Sequence, residues 1–240
     1  SGDGESVFLK YFGFDRSGKR SEATEPHLFA IAGLLGEEWF VRSYWVLGSG
    51  MPPAGWGGWA SAASMFPAGR ILCFDKDTVY GYGRQRVASG PVGHKADAYH
   101  LFSASRKAVA PQPTKAPQDP QARRKPKRVK KAPAKTQPIW ADAESLIVRA
   151  MALGGDRLAV AGPVDLGRKT QEILAFENEP EALAGFKGHK GVYLRIVGAA
   201  DGKKISQCRL TQMPVFDGLA AGGGRIYLSL KDGSVACFGK

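Results

Sequence analysis

Short apolar runs and turn-forming residues alternate along most of this chain, with a turn about every 8–12 positions. The runs are rich in β-branched and aromatic residues, which suit a pleated sheet, and most turns contain Gly or Asp. Glycine contributes 31 of the 240 residues, well above its usual share of about 7%, and shows no collagen-like period. This pattern predicts an all-β fold of the sandwich, barrel or propeller kind.

Four hairpins are predicted where two such runs flank one turn. They are residues 70–74 with 78–82, 146–151 with 157–161, 192–197 with 204–210, and 225–230 with 234–238. Further strands are predicted over residues 6–14 and 39–47. One short helix is predicted over residues 179–184, because Pro180 and acidic residues lie in its first turn and Gly185 follows.

One unit is repeated within the sequence: a glycine-rich turn, an arginine, an apolar strand, an aspartate turn and a second strand. Its turn and arginine occur as GGDR at residues 154–157, as GGGR at 222–225, and in a weaker copy around Gly69 and Arg70. Repeats of this kind are typical of propeller blades. We therefore predict propeller blades built from four-stranded antiparallel sheets.

The C-terminal stretch GVYLRIVGAADGKKISQCRLTQMPVFDGLAAGGGRIYLSLKDGSVACFGK resembles repeats of the pyrroloquinoline quinone-like, or quinoprotein-like, β-propeller. Its segments GAADGKKISQC and GGGRIYLSLKDGSVACFG follow the family repeat in order and spacing. Residues 37–84 are similar to large bacterial propeller-repeat proteins. The resemblance implies a seven- or eight-bladed propeller and export to the periplasm or cell surface. This chain has room for about four or five blades, so we expect it to be a C-terminal portion.

The resemblance also implies pyrroloquinoline quinone and calcium as cofactors, but the residues that would bind them are not matched. The position of the family's docking tryptophan is Cys208, and the adjacent cysteine pair that abuts the quinone is missing. No Glu, Asn and Asp set matches the family's calcium site. We therefore assign no catalytic, cofactor-binding or metal-binding residue from the sequence.

A basic, proline-rich segment interrupts the strand pattern at residues 105–138. It holds seven Lys and four Arg against one Asp, and so accounts for most of the net charge of +12. With no aromatic residue and seven prolines, it cannot bury enough apolar surface to offset its ordering entropy. We predict a disordered linker between two groups of blades of one domain, residues 1–104 and 139–240.

The densest basic run of this linker is a candidate polyanion-binding site. Its charged residues are Arg123, Arg124, Lys125, Lys127, Arg128, Lys130 and Lys131. Such a run would bind polyanions in a salt-dependent, sequence-independent way. No RNP, zinc-finger or helix-turn-helix pattern indicates specific nucleic-acid recognition.

Four of the five tryptophans lie within residues 39–59, together with several other aromatic residues. Glycines flank Trp56 and Trp59, which indicates a loop rather than a strand. Two loop tryptophans either stack on a sugar or planar ligand or fill a gap between blades. As ligand-binding candidates we take Trp56, Trp59, Tyr44 and Arg42.

Cysteine and histidine spacing indicates no metal site. Each cysteine lies in its own strand-like run and is predicted to be a small buried hydrophobic residue: Cys73, Cys208 and Cys237. The histidines stand apart from one another: His27, His94, His100 and His189. No apolar run approaches the ~18 residues of a transmembrane helix.

These observations leave three functional hypotheses. The first is a non-catalytic propeller that acts as a binding scaffold for a protein or carbohydrate partner. The second is part of a pyrroloquinoline quinone-dependent oxidoreductase whose catalytic residues lie outside this chain. The third is attachment to polyanions through the basic linker. Because function resides in sites rather than in the fold, the site has to decide among them.

Overall fold

A computed structural model of the chain describes residues 12–14, 19–22, 27–30, 45–48, 67–84, 99–106, 138–167 and 176–239. These residues are mostly β-strand and include one α-helix. The predicted predominance of β-structure is confirmed.

The strands are numbered in chain order. The first five are β1 (Phe12–Phe14), β2 (Arg20–Glu22), β3 (His27–Ala30), β4 (Trp45–Gly48) and β5 (Ala68–Gly69). Sheet 1 consists of β6 (Ile71–Phe74), β7 (Thr78–Arg84), β8 (Tyr99–Ser105) and β9 (Pro138–Ala143). Sheet 2 consists of β10 (Ala150–Gly154), β11 (Arg157–Pro163), β12 (Val192–Gly198) and β13 (Lys204–Leu210). Sheet 3 consists of β14 (Pro214–Gly222), β15 (Arg225–Leu230) and β16 (Val235–Phe238).

Each of these sheets is an antiparallel meander, in which every strand pairs with the strand before it. The four predicted hairpins are present as β6 with β7, β10 with β11, β12 with β13, and β15 with β16. The predicted bounds of one strand are wrong, because β10 covers Ala150–Gly154 and not residues 146–151. Strands β1 and β2 form a separate hairpin, and β3, β4 and β5 form a further three-stranded sheet. Of the two other predicted strands, the structure describes only Phe12–Phe14 and the part from Trp45 onward.

Strand β11 of sheet 2 is buried on both faces, which explains why it is an almost continuous apolar run. Along β11, Leu158 and Val160 belong to a core shared with sheet 1, while Ala159 and Ala161 belong to a core shared with sheet 3. Sheet 1 contributes to the first core Ile71, Tyr80, Tyr82, Tyr99 and Leu101. Sheet 3 contributes to the second core Leu219, Leu228 and Leu230. The period of two along the strand therefore places one face in each core.

The first strands of sheets 1, 2 and 3 lie next to one another, β6 against β10 and β10 against β14. Two hydrogen bonds join sheets 2 and 3 along this line. The Asp217 N–H donates to the Arg149 carbonyl over 2.8 Å, and the buried Arg149 Nε donates to the Pro214 carbonyl over 2.9 Å. The sheets therefore stack face to face in chain order.

Trp140 on β9 docks sheet 1 onto the turn between β12 and β13 of sheet 2. Its indole Nε1 donates to the Ala199 carbonyl over 2.8 Å. Its ring lies so close over Gly202 that a Cβ there would come within 2.6 Å of it, and Gly202 has a positive φ of 72°. Any side chain in place of Gly202 would therefore displace the indole.

The helix α1 (Glu179–Phe186) lies between β11 and β12. Its N-terminus is capped reciprocally, because the Glu181 N–H donates to Asn178 Oδ1 and Asn178 Nδ2 donates to the Glu181 carboxylate. The predicted helix is confirmed, but Gly185 lies inside it. The positive φ of 80° after the helix belongs to Gly188 instead.

The described strands show four-stranded antiparallel sheets but no closed barrel or propeller. Most of the predicted linker at residues 105–138 lies outside the described residues. Its two ends lie in β8 and β9, which pair with each other. Sheet 1 therefore contains strands from both sides of the predicted linker.

Candidate binding cleft

A cleft of about 1110 Å³ opens between sheets 2 and 3. Its floor includes a complete row across sheet 2, because Ala152, Ala159, Ile196 and Ser206 are successive cross-strand neighbours. The opposite wall comes from sheet 3 and contains Ala221, Ile226 and Phe238. The floor is mostly apolar because three of the four side chains in this row are aliphatic.

The cleft exists because sheet 2 has one more described strand than the sheet that covers it. Strand β13, the fourth of sheet 2, is exposed along its length except at Leu210, whereas β11 is buried except at Arg157. Ser206 and Cys208 of β13 line the cleft. A strip of the inner face of sheet 2 is therefore open to solvent.

Basic side chains lie at one end of the cleft. Arg157 and Arg225, which follow the two glycine-rich turns of the repeat, both line it. Arg157 Nε is 3.7 Å from the carboxylate of Asp156, and both side chains are well exposed. Arg225 is exposed and forms no ion pair within the described residues. This end of the cleft therefore favours anionic groups.

The three thiols differ in accessibility. Cys208 and Cys237 are exposed, whereas Cys73 is half-buried. Burial raises the pKa of Cys73 to about 12, and the carboxylates of Asp217 and Asp75 add to this by repelling the thiolate. The expectation that all three cysteines are buried is therefore wrong for Cys208 and Cys237, because each lies on a strand face that no described element covers.

We expect two of the three thiols to react rapidly with an aromatic disulfide reagent at pH 8, and Cys73 to react only after unfolding. The thiolate is the reactive species, and Cys73 does not ionise at this pH. The measurement compares the thiolate released by native protein and by protein in guanidinium chloride. Cys73→Ala should leave the fast phase unchanged, and three fast thiols in the native protein would contradict the expectation.

A buried ion pair supports sheet 2 on the face opposite the cleft. Arg195 on β12 pairs with Glu144, whose side chain is only 3% exposed, and also donates to Gln207 Oε1 and Ser145 Oγ. Glu144 in turn accepts the Leu146 N–H over 3.0 Å. Burial raises the pKa of Glu144, although Arg195 opposes this shift. The pair fastens the loop between β9 and β10 to the sheet.

Aspartates in the turns act as local caps. Asp75 Oδ1 accepts the N–H groups of Asp77 and Thr78 over 2.9 and 2.7 Å. Burial opposes ionisation of Asp75, but these hydrogen bonds outweigh it and hold the pKa below its ordinary value. Asp232 accepts from the Ser234 hydroxyl and N–H, which lowers its pKa. These carboxylates stabilise turns.

The ligand-binding candidates from the sequence, Arg42, Tyr44, Trp56 and Trp59, lie outside the described residues. So do the basic-run candidates, which are Arg123, Arg124, Lys125, Lys127, Arg128, Lys130 and Lys131. The described part contains no group of three His, Cys, Asp or Glu side chains that could hold a metal ion. None of its helices is long and apolar enough to cross a membrane.

The cleft residues were not among the candidates taken from the sequence. Arg157 and Arg225 were visible as equivalent positions of the repeat, but nothing in the repeat said that both line one cleft. Their shared position after a glycine-rich turn is the signal that could have identified them. Neither a protein-family model nor a curated protein sequence matches this chain.

Proposed function

We propose that this chain is a non-catalytic binding module of the quinoprotein-like β-propeller type, and that it binds a protein partner between sheets 2 and 3. The observation that carries the proposal is the cleft, with its apolar floor and basic end. An apolar centre bordered by charged groups is the usual composition of a protein interface. A well-formed concave site of this kind is the default binding site of a fold.

Two features of the packing support the propeller part of the proposal. Sheets 1, 2 and 3 stack in chain order with their first strands adjacent, as neighbouring blades do. Trp140 ties sheet 1 to a turn of sheet 2, so that each sheet is positioned by the next. Further blades would continue the same stacking.

The roles of the buried and turn carboxylates support the non-catalytic part. Glu144 is held by Arg195 and by backbone N–H groups, and Asp75 and Asp232 are held in turns. A general acid or base must reach the proton that it transfers. Carboxylates committed in this way are structural supports.

The proposal is tested by selecting peptides from a display library against the whole chain. We expect enriched peptides whose affinity falls at least tenfold in Ser206→Trp, because the indole fills the cleft from an exposed strand position. Lys231→Trp, a substitution on a turn outside the cleft lining, is the matched control and should leave affinity unchanged. Binding measured by fluorescence anisotropy reports both.

Failure to enrich any peptide, or peptides that ignore Ser206→Trp, would contradict the proposal. A saturable, calcium-dependent rise in Tm with pyrroloquinoline quinone would instead favour the oxidoreductase hypothesis. Carbohydrate binding through Trp56 and Trp59, and polyanion binding through the basic run, rest on residues outside the described part and stay predictions.

A further inference from the structure

The cleft lies beside a strand edge whose hydrogen-bonding groups are not paired by any described strand. No described strand pairs with the outer edge of β16, whereas sheets 1 and 2 both have a fourth strand at the corresponding position. An exposed edge of this kind is a template for pairing with another chain. Val235 on this edge is 63% exposed.

The hairpin register shows which backbone groups face the free edge. Leu230 N–H donates to the Ser234 carbonyl, and Leu228 and Ala236 form the next pair two residues on. Because hydrogen-bonded and non-hydrogen-bonded pairs alternate in an antiparallel ladder, Val235 and Cys237 direct their N–H and C=O groups outward. A strand added here would bond to these two residues.

The side chains of an added strand would have a surface to cover. Ala236 and Phe238 of β16 pack toward sheet 2. A strand about 4.8 Å further out would lie over the open part of β13. Alternate side chains of that strand would contact Ser206 and Cys208 on the cleft floor. The added strand would thus bury the strip of sheet 2 that sheet 3 leaves open.

The charges give this surface a direction. Lys204 and Arg157 lie at the same end of sheet 2, since they pair with Val197 and Gly198. Arg225 starts β15 opposite the end of β16, so it lies at the end where β16 finishes. Two acidic groups lie on these turns, and each is already beside a basic side chain: Asp156 is near Arg157, and Asp201 pairs with Lys203. An antiparallel added strand would therefore meet the basic side chains with its N-terminal residues.

We propose that the cleft binds an extended segment of a partner protein, with acidic residues at its N-terminal end and apolar residues at alternate positions after them. The segment adds to the edge of β16 as a fourth strand of sheet 3. This inference rests on the proposed function and states how the partner is recognised. Main-chain hydrogen bonds supply affinity, and the cleft floor and the arginines supply selectivity.

The probe is a labelled peptide, acetyl-Glu-Asp-Thr-Val-Thr-Val-Thr-amide, titrated with the whole chain and followed by anisotropy. We expect saturable binding that weakens at least tenfold in Cys237→Pro, because proline removes an outward N–H while leaving the bonds to β15 intact. Cys237→Ala keeps that N–H and is the matched control, with affinity unchanged. Equal melting temperatures of the two variants show that the fold is retained.

A second pair of variants tests the charge. Arg157→Glu with Arg225→Glu, both at exposed positions, should weaken the acidic peptide at least tenfold and bind a Lys-Lys counterpart of the peptide better than the wild type does. Affinity that is unchanged in Cys237→Pro, or in the double glutamate variant, would overturn the inference. So would a peptide that fails to bind while the chain itself dimerises, since a second copy would then occupy the edge.

The two proposals can fail separately. If displayed peptides lost affinity in Ser206→Trp and kept it in Cys237→Pro, that result would support the binding module and overturn strand addition. The absence of any peptide that depends on Ser206 would overturn both.

Discussion

Replacing Trp140 by alanine is expected to lower the free energy of unfolding by about 3–5 kcal/mol, the usual cost of removing a large aromatic side chain from a packed position. The indole joins two sheets, because it packs on Gly202 and on the ring of Tyr80 and donates to the Ala199 carbonyl. Its loss opens a gap between sheets 1 and 2 and leaves a carbonyl without its donor. Urea denaturation followed by circular dichroism measures the effect.

Two control substitutions show whether the cost of Trp140→Ala comes from the contact between the two sheets or from the loss of any side chain on β9. Ile139→Ala alters the adjacent residue of β9, which is 63% exposed, and should cost less than about 0.5 kcal/mol. Trp140→Phe keeps an aromatic ring but not the N–H. Its loss of unfolding free energy should therefore lie between those of Ile139→Ala and Trp140→Ala. If Trp140→Ala were as stable as Ile139→Ala, the indole would not be what fastens sheet 1 to sheet 2.

Replacing Arg195 by methionine is expected to cost about 3–5 kcal/mol at pH 7, the cost of breaking a buried ion pair by removing one partner. Glu144, whose side chain is only 3% exposed beside Arg195, would lose the guanidinium that offsets the cost of burying its negative charge. Methionine keeps much of the apolar volume, so the loss reports charge rather than packing. Urea denaturation at several pH values measures it.

The pH dependence of this loss has a definite sign. Burial already raises the pKa of Glu144 above its ordinary value, and removing Arg195 takes away an interaction that lowers it. A carboxyl with a raised pKa in the folded state contributes stability below its unfolded pKa and loses it as pH rises through the folded pKa. The deficit of Arg195→Met relative to wild type should therefore be smallest near pH 4 and grow toward pH 7.

The double variant Arg195→Met with Glu144→Gln is the control for charge. It removes the unpaired carboxylate and should recover much of the stability at pH 7 while showing little of the pH dependence. If Arg195→Met lost the same unfolding free energy at pH 4 and at pH 7, the loss would not come from the charge of Glu144.

Local patterns predicted the hairpins and the helix because each depends on residues close in sequence. The aspartate turns place carboxylates within reach of the next N–H groups, and Asp75 and Asp232 do this in the structure. Two of the strands missed by the prediction, β9 and β14, lack such local signals. Strand β9 begins at a proline beside the basic segment, and β14 contains a bulge with Asp217 at a positive φ of 55°.

Long-range contacts had no counterpart in the patterns. Trp140 lies outside the tryptophan cluster at residues 39–59, yet it docks sheet 1 onto sheet 2. Cys208 was predicted to be buried because the residues around it predict a strand. The local sequence does not indicate which face of that strand is left exposed to solvent. The cleft depends on how many strands face each other, and pairing partners are specified by packing rather than by local sequence.

The sequence by itself determined the β-rich character, the positions of the tight turns and the repeat that sets the order of strands. Each of these follows from backbone preferences and from the two-residue period of a strand. Only the tertiary structure decided that Arg157 and Arg225 line one cleft, that Glu144 is buried against Arg195, and that β13 is open. Those features arise where separate sheets meet, because burial and charge pairing depend on neighbours far away in the chain.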